Sequence, residues 1–361
     1  MTPSGNQSAF DRREHFKALK LFSRRKSKTD AGEKGEAFPS DPDFNPAPSK
    51  LQESDPLPHM VQQGRAAAIL RESDAWESHA DAAEIRILCE NELEQRLALV
   101  PAGNITLATT LSAALGSPEQ ETLVEPFLLD VHAVTNARYQ QFVDGGGYDA
   151  LECWPEEIWP HLIEFKDLTG EPGPRFWRTG RHGAALADHP IVGVSWYEAQ
   201  AYALWIGQRL PTEPEWEMAA SWHIRSSTDC IRRFPWGDAL DASRCNVWSS
   251  RQGTTVPVSQ YANGAAPNQV RQLVGNVWEW TDSEFALTDD EGGPIVGEMP
   301  MRALRGGAFD TYFEAQATSV FRSGQVVLAR PNNVGFRCAM DVADATWMNV
   351  EDRRETGQWQ P

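Results

Sequence analysis

Pro190-Ile191-Val192-Gly193-Val194-Ser195-Trp196-Tyr197-Glu198 and, after a short gap, Arg209-Leu210-Pro211-Thr212-Glu213-Pro214-Glu215-Trp216-Glu217 form the most informative passage of this 361-residue chain. Ser195 and Glu198 have the spacing at which a hydroxyl and a carboxylate each satisfy the other's free N–H group at a helix start. Ala199, Tyr202, Ala203 and Ile206 then recur at helical intervals, and Gly207 supplies a stop. Thr212 and Glu215 repeat the device, with Pro214 in the first turn, where a missing N–H costs little. The passage predicts two short helices joined by a turn over 208–211, with Trp216, Ala219 and Ala220 facing a core.

Moving outward, the texture is irregular. Leu99-Val100-Pro101-Ala102-Gly103 reads as an entering strand and turn, and Val124 to Val134 as a second strand. Asn136 to Val143 reads as a short helix stopped by Gly145-Gly146-Gly147. Downstream, Phe234-Pro235-Trp236-Gly237-Asp238 reads as a turn. Arg302 to Phe309 and Val334 to Val342 read as strands, the latter with Val334, Phe336, Cys338 and Met340 on one face. Residues 65–98 lack Pro and Gly and predict a helical segment in one or two pieces. Residues 29–60 are rich in Pro and poor in large apolar side chains, which predicts a linker.

Charge is divided unevenly. The chain carries −18 overall, yet residues 1–28 hold eight Lys/Arg against Asp11 and Glu14. An acidic remainder argues against nucleic acid as a partner. The first 28 residues read as a disordered basic tail; Phe10, Phe16, Leu19 and Phe22 make contact with a membrane surface the competing reading. No apolar run suits a membrane span or a secretory signal. Cys89, Cys153, Cys230, Cys245 and Cys338 are scattered without a CxxC pair, which fits buried free thiols in a cytoplasmic protein.

Six collinear segments carry a resemblance. They are Pro190–Trp196, Arg209–Glu217, Trp236-Gly237-Asp238, Gly275-Asn276-Val277-Trp278-Glu279-Trp280, Arg305-Gly306-Gly307-Ala308-Phe309 and Asn333-Val334-Gly335-Phe336-Arg337. In this order they resemble the formylglycine-generating-enzyme, or sulfatase-modifying-factor, family. The resemblance implies an α+β, C-type-lectin-like fold with little regular secondary structure. It covers the family domain (99–344); composition and pattern add a tail and linker (1–60), a helical segment (61–98) and a C-terminal tail (345–361).

What the resemblance implies for chemistry depends on particular positions. The family's formylglycine formers hold copper(I) with two thiolates, soft ligands for a soft ion. Those thiols map onto Thr311 and Gln316, and the preceding Ser maps onto Ala308. A hydroxyl and an amide do not replace thiolates, so copper and formylglycine formation are not expected. The family's disulfide would join positions 203 and 338, but Ala203 cannot pair with Cys338. Calcium ligands carried over from the family are Gln272, the carbonyls of Gly275 and Val277, and Glu279. A second, weaker calcium site would begin at Asn246 and Val247. Trp278, Thr311, Tyr312, Gln316 and Arg322 would line the family's groove. The leading expectation is a non-catalytic or accessory member binding a protein or peptide there. The alternative is a metal-dependent oxidoreductase acting with O2, a sulfoxide synthase-like or peptide oxidase relative using iron. A lectin-like diversified receptor is disfavoured because 310–330 contains no Asn.

Overall fold

The computed structural model describes residues 56–107, 121–221, 232–288, 294–295 and 299–345. Expectations for residues 1–55 and 346–361 lie outside these, as do Cys230 and His223.

The described chain begins with four helices: α1 (Pro56–Gln62), α2 (Ala66–Arg71), α3 (Ser73–Trp76) and α4 (Ala82–Arg96). The expected linker therefore ends earlier than position 60, since Pro56 sits in a first turn, where proline is tolerated. The helical segment is broken into pieces, and its strand successor starts at Leu97 rather than Leu99. Strands β1 (Leu97–Val100), β2 (Gly103–Thr106), β3 (Glu121–Val124) and β4 (Phe127–Asp130) follow. The strand expected over 124–134 is thus two strands and a turn. Next come α5 (Asn136–Asp144), α6 (Trp196–Trp205) and α7 (Glu213–Ser221), separated by long irregular connections. The remaining strands are β5 (Trp278–Glu284), β6 (Leu287–Thr288), β7 (Pro294–Ile295), β8 (Met301–Arg305), β9 (Arg322–Val326), β10 (Val334–Gly335) and β11 (Ala339–Asp341).

Two sheets organise these elements. One has the order β1-β4-β11, all antiparallel; the other has the order β10-β5-β8-β9, with β10 parallel to β5. The expected single strand over 334–342 is therefore split between the two sheets. Every residue from Val334 to Met340 is buried, so this segment has no solvent face for the expected alternation to mark.

The helix starts follow the sequence logic. Ser195 Oγ accepts from Glu198 N at 3.2 Å, and Glu198 Oε2 accepts from Ser195 N at 2.8 Å. Thr212 and Glu215 reciprocate in the same way. Thr135 caps α5 by accepting from Arg138 N at 3.2 Å.

Between the helices and the second sheet lies an aromatic core containing Tyr139, Phe142, Trp154, Trp177, Tyr202, Trp205, Trp280 and Phe336. Burying an indole also buries an N–H donor, which must find an acceptor. Trp177 donates to Asn136 Oδ1, Trp196 to Thr281 O, Trp280 to Val194 O and Trp216 to Glu279 Oε2. These bonds fix ring orientation where little regular secondary structure is available to do so.

A separate cluster joins the N-terminal helices to the domain through Ile69, Leu70, Trp76, Ile85, Cys89 and Leu93 against Leu128 and Met340. Gly207 makes this close approach feasible. Its φ is +80°, and a Cβ there would lie 2.3 Å from Ala68 N in α2. Ala68 N in turn donates to Ile206 O at 3.2 Å.

Candidate functional site

Two irregular segments, 272–278 and 305–311, run against each other and bring the carried-over positions together. Gly275 N donates to Gly306 O at 2.9 Å, and Phe309 N donates to Asn276 O at 3.1 Å. Asn276 is the hub. Its Oδ1 accepts from Val256 N and Asn246 Nδ2, and its Nδ2 donates to Val256 O and Gln272 Oε1. All four side-chain hydrogen-bond sites are used, and φ is +69°, a conformation asparagine tolerates better than most residues.

Thr311 and Gln316 meet around Gly307. A Cβ on Gly307 would lie 3.3 Å from Thr311 Oγ1 and 3.4 Å from Gln316 O. Thr311 Oγ1 accepts from Ala308 N at 2.8 Å, which ties off the turn. Thr311 O accepts from Trp248 N at 3.2 Å. Tyr312 is well exposed and packs edge-on against both Trp248 and Phe313, which are exposed as well. Trp278 is half-buried, with its ring 6.1 Å from Phe321, and its backbone N–H donates to Asn333 O at 2.9 Å. Asn333 Nδ2 reaches both Asp310 oxygens, at 3.2 and 3.0 Å. Trp278, at the start of β5, is thus linked through Asn333 and Asp310 to the loop that carries Thr311 and Tyr312.

Arg322 departs from the expectation. Its guanidinium donates to Glu213 Oε2 at 2.7 Å and lies over the Phe285 ring. It joins a largely buried charge cluster with Arg305, Glu213 and Glu217 instead of lining the groove. Burial is the main cause that pushes Glu217 up to about 7, with Arg305 opposing it.

The carried-over calcium ligands do not fit the ion. Both oxygens of Glu279 are committed inward, to Arg337 Nε and Nη2 at 2.7 Å each, and Oε2 also accepts from Trp216. Gln272 Oε1 accepts from Asn276, while its amide donates to Pro257 O and Gln260 O. The Gly275 carbonyl accepts from Val277 N at 3.0 Å. Calcium needs several oxygens free to converge on one point, and here the side-chain oxygens answer protein donors. At the second site, Val247 O accepts from Ser250 Oγ, and the Asn246 carbonyl accepts from Asn276 N at 2.7 Å. Among the described residues, no three His, Cys, Asp or Glu side chains gather closely enough to hold an ion.

The histidines have local roles. His189 Nδ1 meets Thr255 Oγ1 at 3.0 Å, and His182 Nδ1 meets Gly183 O at 2.8 Å. Burial and the nearby Arg337 and Arg271 hold His132 down to about 4, mostly neutral at pH 7. The described cysteines are free and buried. Burial pushes Cys245 and Cys89 up to about 12 and Cys153 to about 11, and also raises Cys338. Such thiols are poor nucleophiles and poor ligands. An open cavity of about 360 Å³ exists at the end of α5, lined by residues including Asp144, Tyr148, Glu171 and Arg181. None of Trp278, Thr311, Tyr312, Gln316 or Arg322 lines it.

Three contributors, Asn276, Arg337 and Trp248, do not stand out in the sequence as functional residues. Arg337 carried one signal, a charged residue inside an apolar run, which in a folded chain requires a partner.

A small α+β domain built on capped short helices, tryptophan-locked loops and an RGG turn beside a GNVWEW strand defines the sulfatase-modifying-factor class. Residues 85–342 match the sulfatase-modifying factor enzyme 1-like domain, and the chain belongs to that family. Hercynine oxygenase from Mycobacterium tuberculosis is 35% identical over 234 residues, 58% of this chain and 51% of the relative. Formylglycine-generating enzyme from Streptomyces coelicolor is 34% identical over 270 residues, 64% of this chain and 82% of the relative. Inactive C-alpha-formylglycine-generating enzyme 2 from Bos taurus is 30% identical over 257 residues, 62% of this chain and 79% of the relative. The match thus spans only about half the length of the hercynine oxygenase. No helix among the described residues is long and apolar enough to cross a membrane.

Proposed function

We propose that this chain is a binding member of its family, holding a protein or peptide segment in the groove beside Trp278 without oxidising it. What supports this reading is that the resemblance maps the family's copper thiolates onto Thr311 and Gln316, neither of which is a thiol. Thr311 Oγ1 is already engaged by the Ala308 amide. The half-buried Trp278 and the exposed Tyr312 offer stacking surfaces, and Asp310 and Asn333 offer polar contacts, a mixture suited to peptide recognition. The family also contains a member named as inactive.

The test is selection of peptides from a random display library on the full chain, followed by calorimetry of the selected peptides. Binders should lose at least about tenfold in affinity on Trp278→Ala. Recovery of no binder, or of binders indifferent to that change, would refute the reading.

A second reading is an iron-dependent oxidoreductase acting with O2, favoured by the similarity to proteins named hercynine oxygenase. It predicts stoichiometric iron in purified protein and O2 uptake with a small-molecule substrate. Metal-free protein that takes up no iron under anaerobic reconstitution would remove it.

A further inference from the structure

The segment Leu151–Glu164 presents an apolar ridge in an acidic frame. It comprises a 3-10 turn, Leu151–Cys153, and a 3-10 helix, Glu156–Glu164. Its inner side is anchored by Cys153, Trp154 and Ile158, all buried in the aromatic core. Its outer side leaves Leu151 44%, Trp159 42% and Ile163 72% exposed. Trp159 Nε1 donates to Trp154 O at 3.1 Å, and Trp154 N donates to Leu151 O at 3.0 Å. These bonds hold the ridge in shape, with its large side chains turned to solvent. Grouped exposed apolar side chains of this size mark interaction surfaces more often than chance.

Charge indicates what covers it. Glu152, Glu156, Glu157 and Glu164 are exposed along the same segment, which contains no Lys or Arg. His161 is the sole titratable base within it, 3.7 Å from Glu164. Among neighbouring cations, Lys166 is exposed two residues beyond Glu164, while Arg65 lies over the Trp205 ring at 4.7 Å and Arg302 over the Trp196 ring at 4.2 Å. The segment itself therefore exposes apolar and anionic side chains and no Lys or Arg.

We infer that this ridge is a docking site for a basic amphipathic helix of a partner protein. Apolar residues of the partner would cover Leu151, Trp159 and Ile163, while its Lys and Arg side chains would face the four glutamates. The ridge uses none of the groove residues, so the inference stands apart from the function proposed above.

A fluorescently labelled amphipathic peptide built of Leu and Lys is a suitable probe, titrated with the full chain and read by anisotropy. It should bind with an affinity that falls as salt rises, and a matched Leu/Glu peptide should not bind. Trp159→Ser with Ile163→Ser should weaken binding at least about tenfold. Both side chains are exposed, so folding should survive, as circular dichroism would verify. Glu156→Lys with Glu157→Lys should weaken it without touching the apolar ridge. Equal binding of the two peptides, or unchanged binding in both variants, would overturn the inference. So would a stable dimer of the full chain that Trp159→Ser dissociates, since the occupant would then be a second copy.

Discussion

Arg337 and Glu279 form a two-point ion pair at the centre of the domain, Nε to Oε2 and Nη2 to Oε1, with both side chains essentially inaccessible to solvent. Arg337 also donates to Asp130 O and Arg271 O, each at 2.9 Å. One guanidinium therefore ties β5, the end of β4 and the 271–278 loop together. Removing one partner leaves a buried charge uncompensated, which costs about 3–5 kcal/mol. Arg337→Met should lower stability by that amount in urea titration. The double variant with Glu279→Met should be less harmed than the sum of the two single changes. Because Glu279 is committed to Arg337, chelation by EDTA should leave Tm unchanged. A drop in Tm would return Glu279 to calcium.

Glu217 provides a pH test. Burial pushes its carboxyl from 4.5 up to about 7 in the folded chain. A carboxyl whose folded pKa is raised favours the folded state while protonated. Its contribution is full below about 4.5 and is lost as pH rises to about 7. His132 works in the opposite sense, since a depressed histidine loses stability as pH falls from 6.5 toward about 4. The two oppose each other over much of the same range, so a single stability curve will not separate them. The difference between wild type and Glu217→Gln should. Wild type should lose stability relative to the glutamine variant between pH 4.5 and 7, measured by urea midpoint. A flat difference curve would show that Glu217 titrates normally.

Gly207 should be the weak point in attaching the N-terminal helices. A Cβ there meets Ala68 N at 2.3 Å, and the left-handed φ of +80° disfavours any L side chain. Backbone strain of this kind alone costs about 1–3 kcal/mol. Gly207→Ala should therefore lower Tm and expose the connection over 72–81 to limited proteolysis before the rest of the domain is cut. Protection equal to wild type would mean that the helices are held elsewhere.

Legibility followed locality. Ser195 with Glu198, and Thr212 with Glu215, are caps whose partners lie within one helical turn, so spacing alone predicted them. The strand over 334–342 was misjudged because its residues belong to two sheets and are buried on every side, so alternation had nothing to report. Arg322 was assigned to the groove by motif offset, yet its partner Glu213 lies more than a hundred residues away. The calcium expectation meets the same limit. Glu279 is a plausible oxygen ligand in its own loop, and only the fold brings Arg337 and Trp216 onto it.

Positions 311 and 316 offer a direct test of the proposed binding role. Thr311 Oγ1 and the backbone oxygen of Gln316 both lie against Gly307. Replacing Thr311 removes the hydroxyl that accepts from Ala308 N, and a thiol is a weaker acceptor. Thr311→Cys alone should therefore cost about 1 kcal/mol. Thr311→Cys with Gln316→Cys should create a pair of thiols in the place where related proteins hold copper(I). Copper(I) favours thiolate ligands, and binding should drive off the thiol protons. The double variant should take up copper(I) stoichiometrically, with a thiolate-to-metal absorption band in the ultraviolet and a raised Tm. Wild type and each single variant should show neither. If the double variant folds but binds no copper, the turn around Gly307 differs from that of the copper-binding relatives in more than its two side chains, and divergence of the backbone would then explain the lost chemistry.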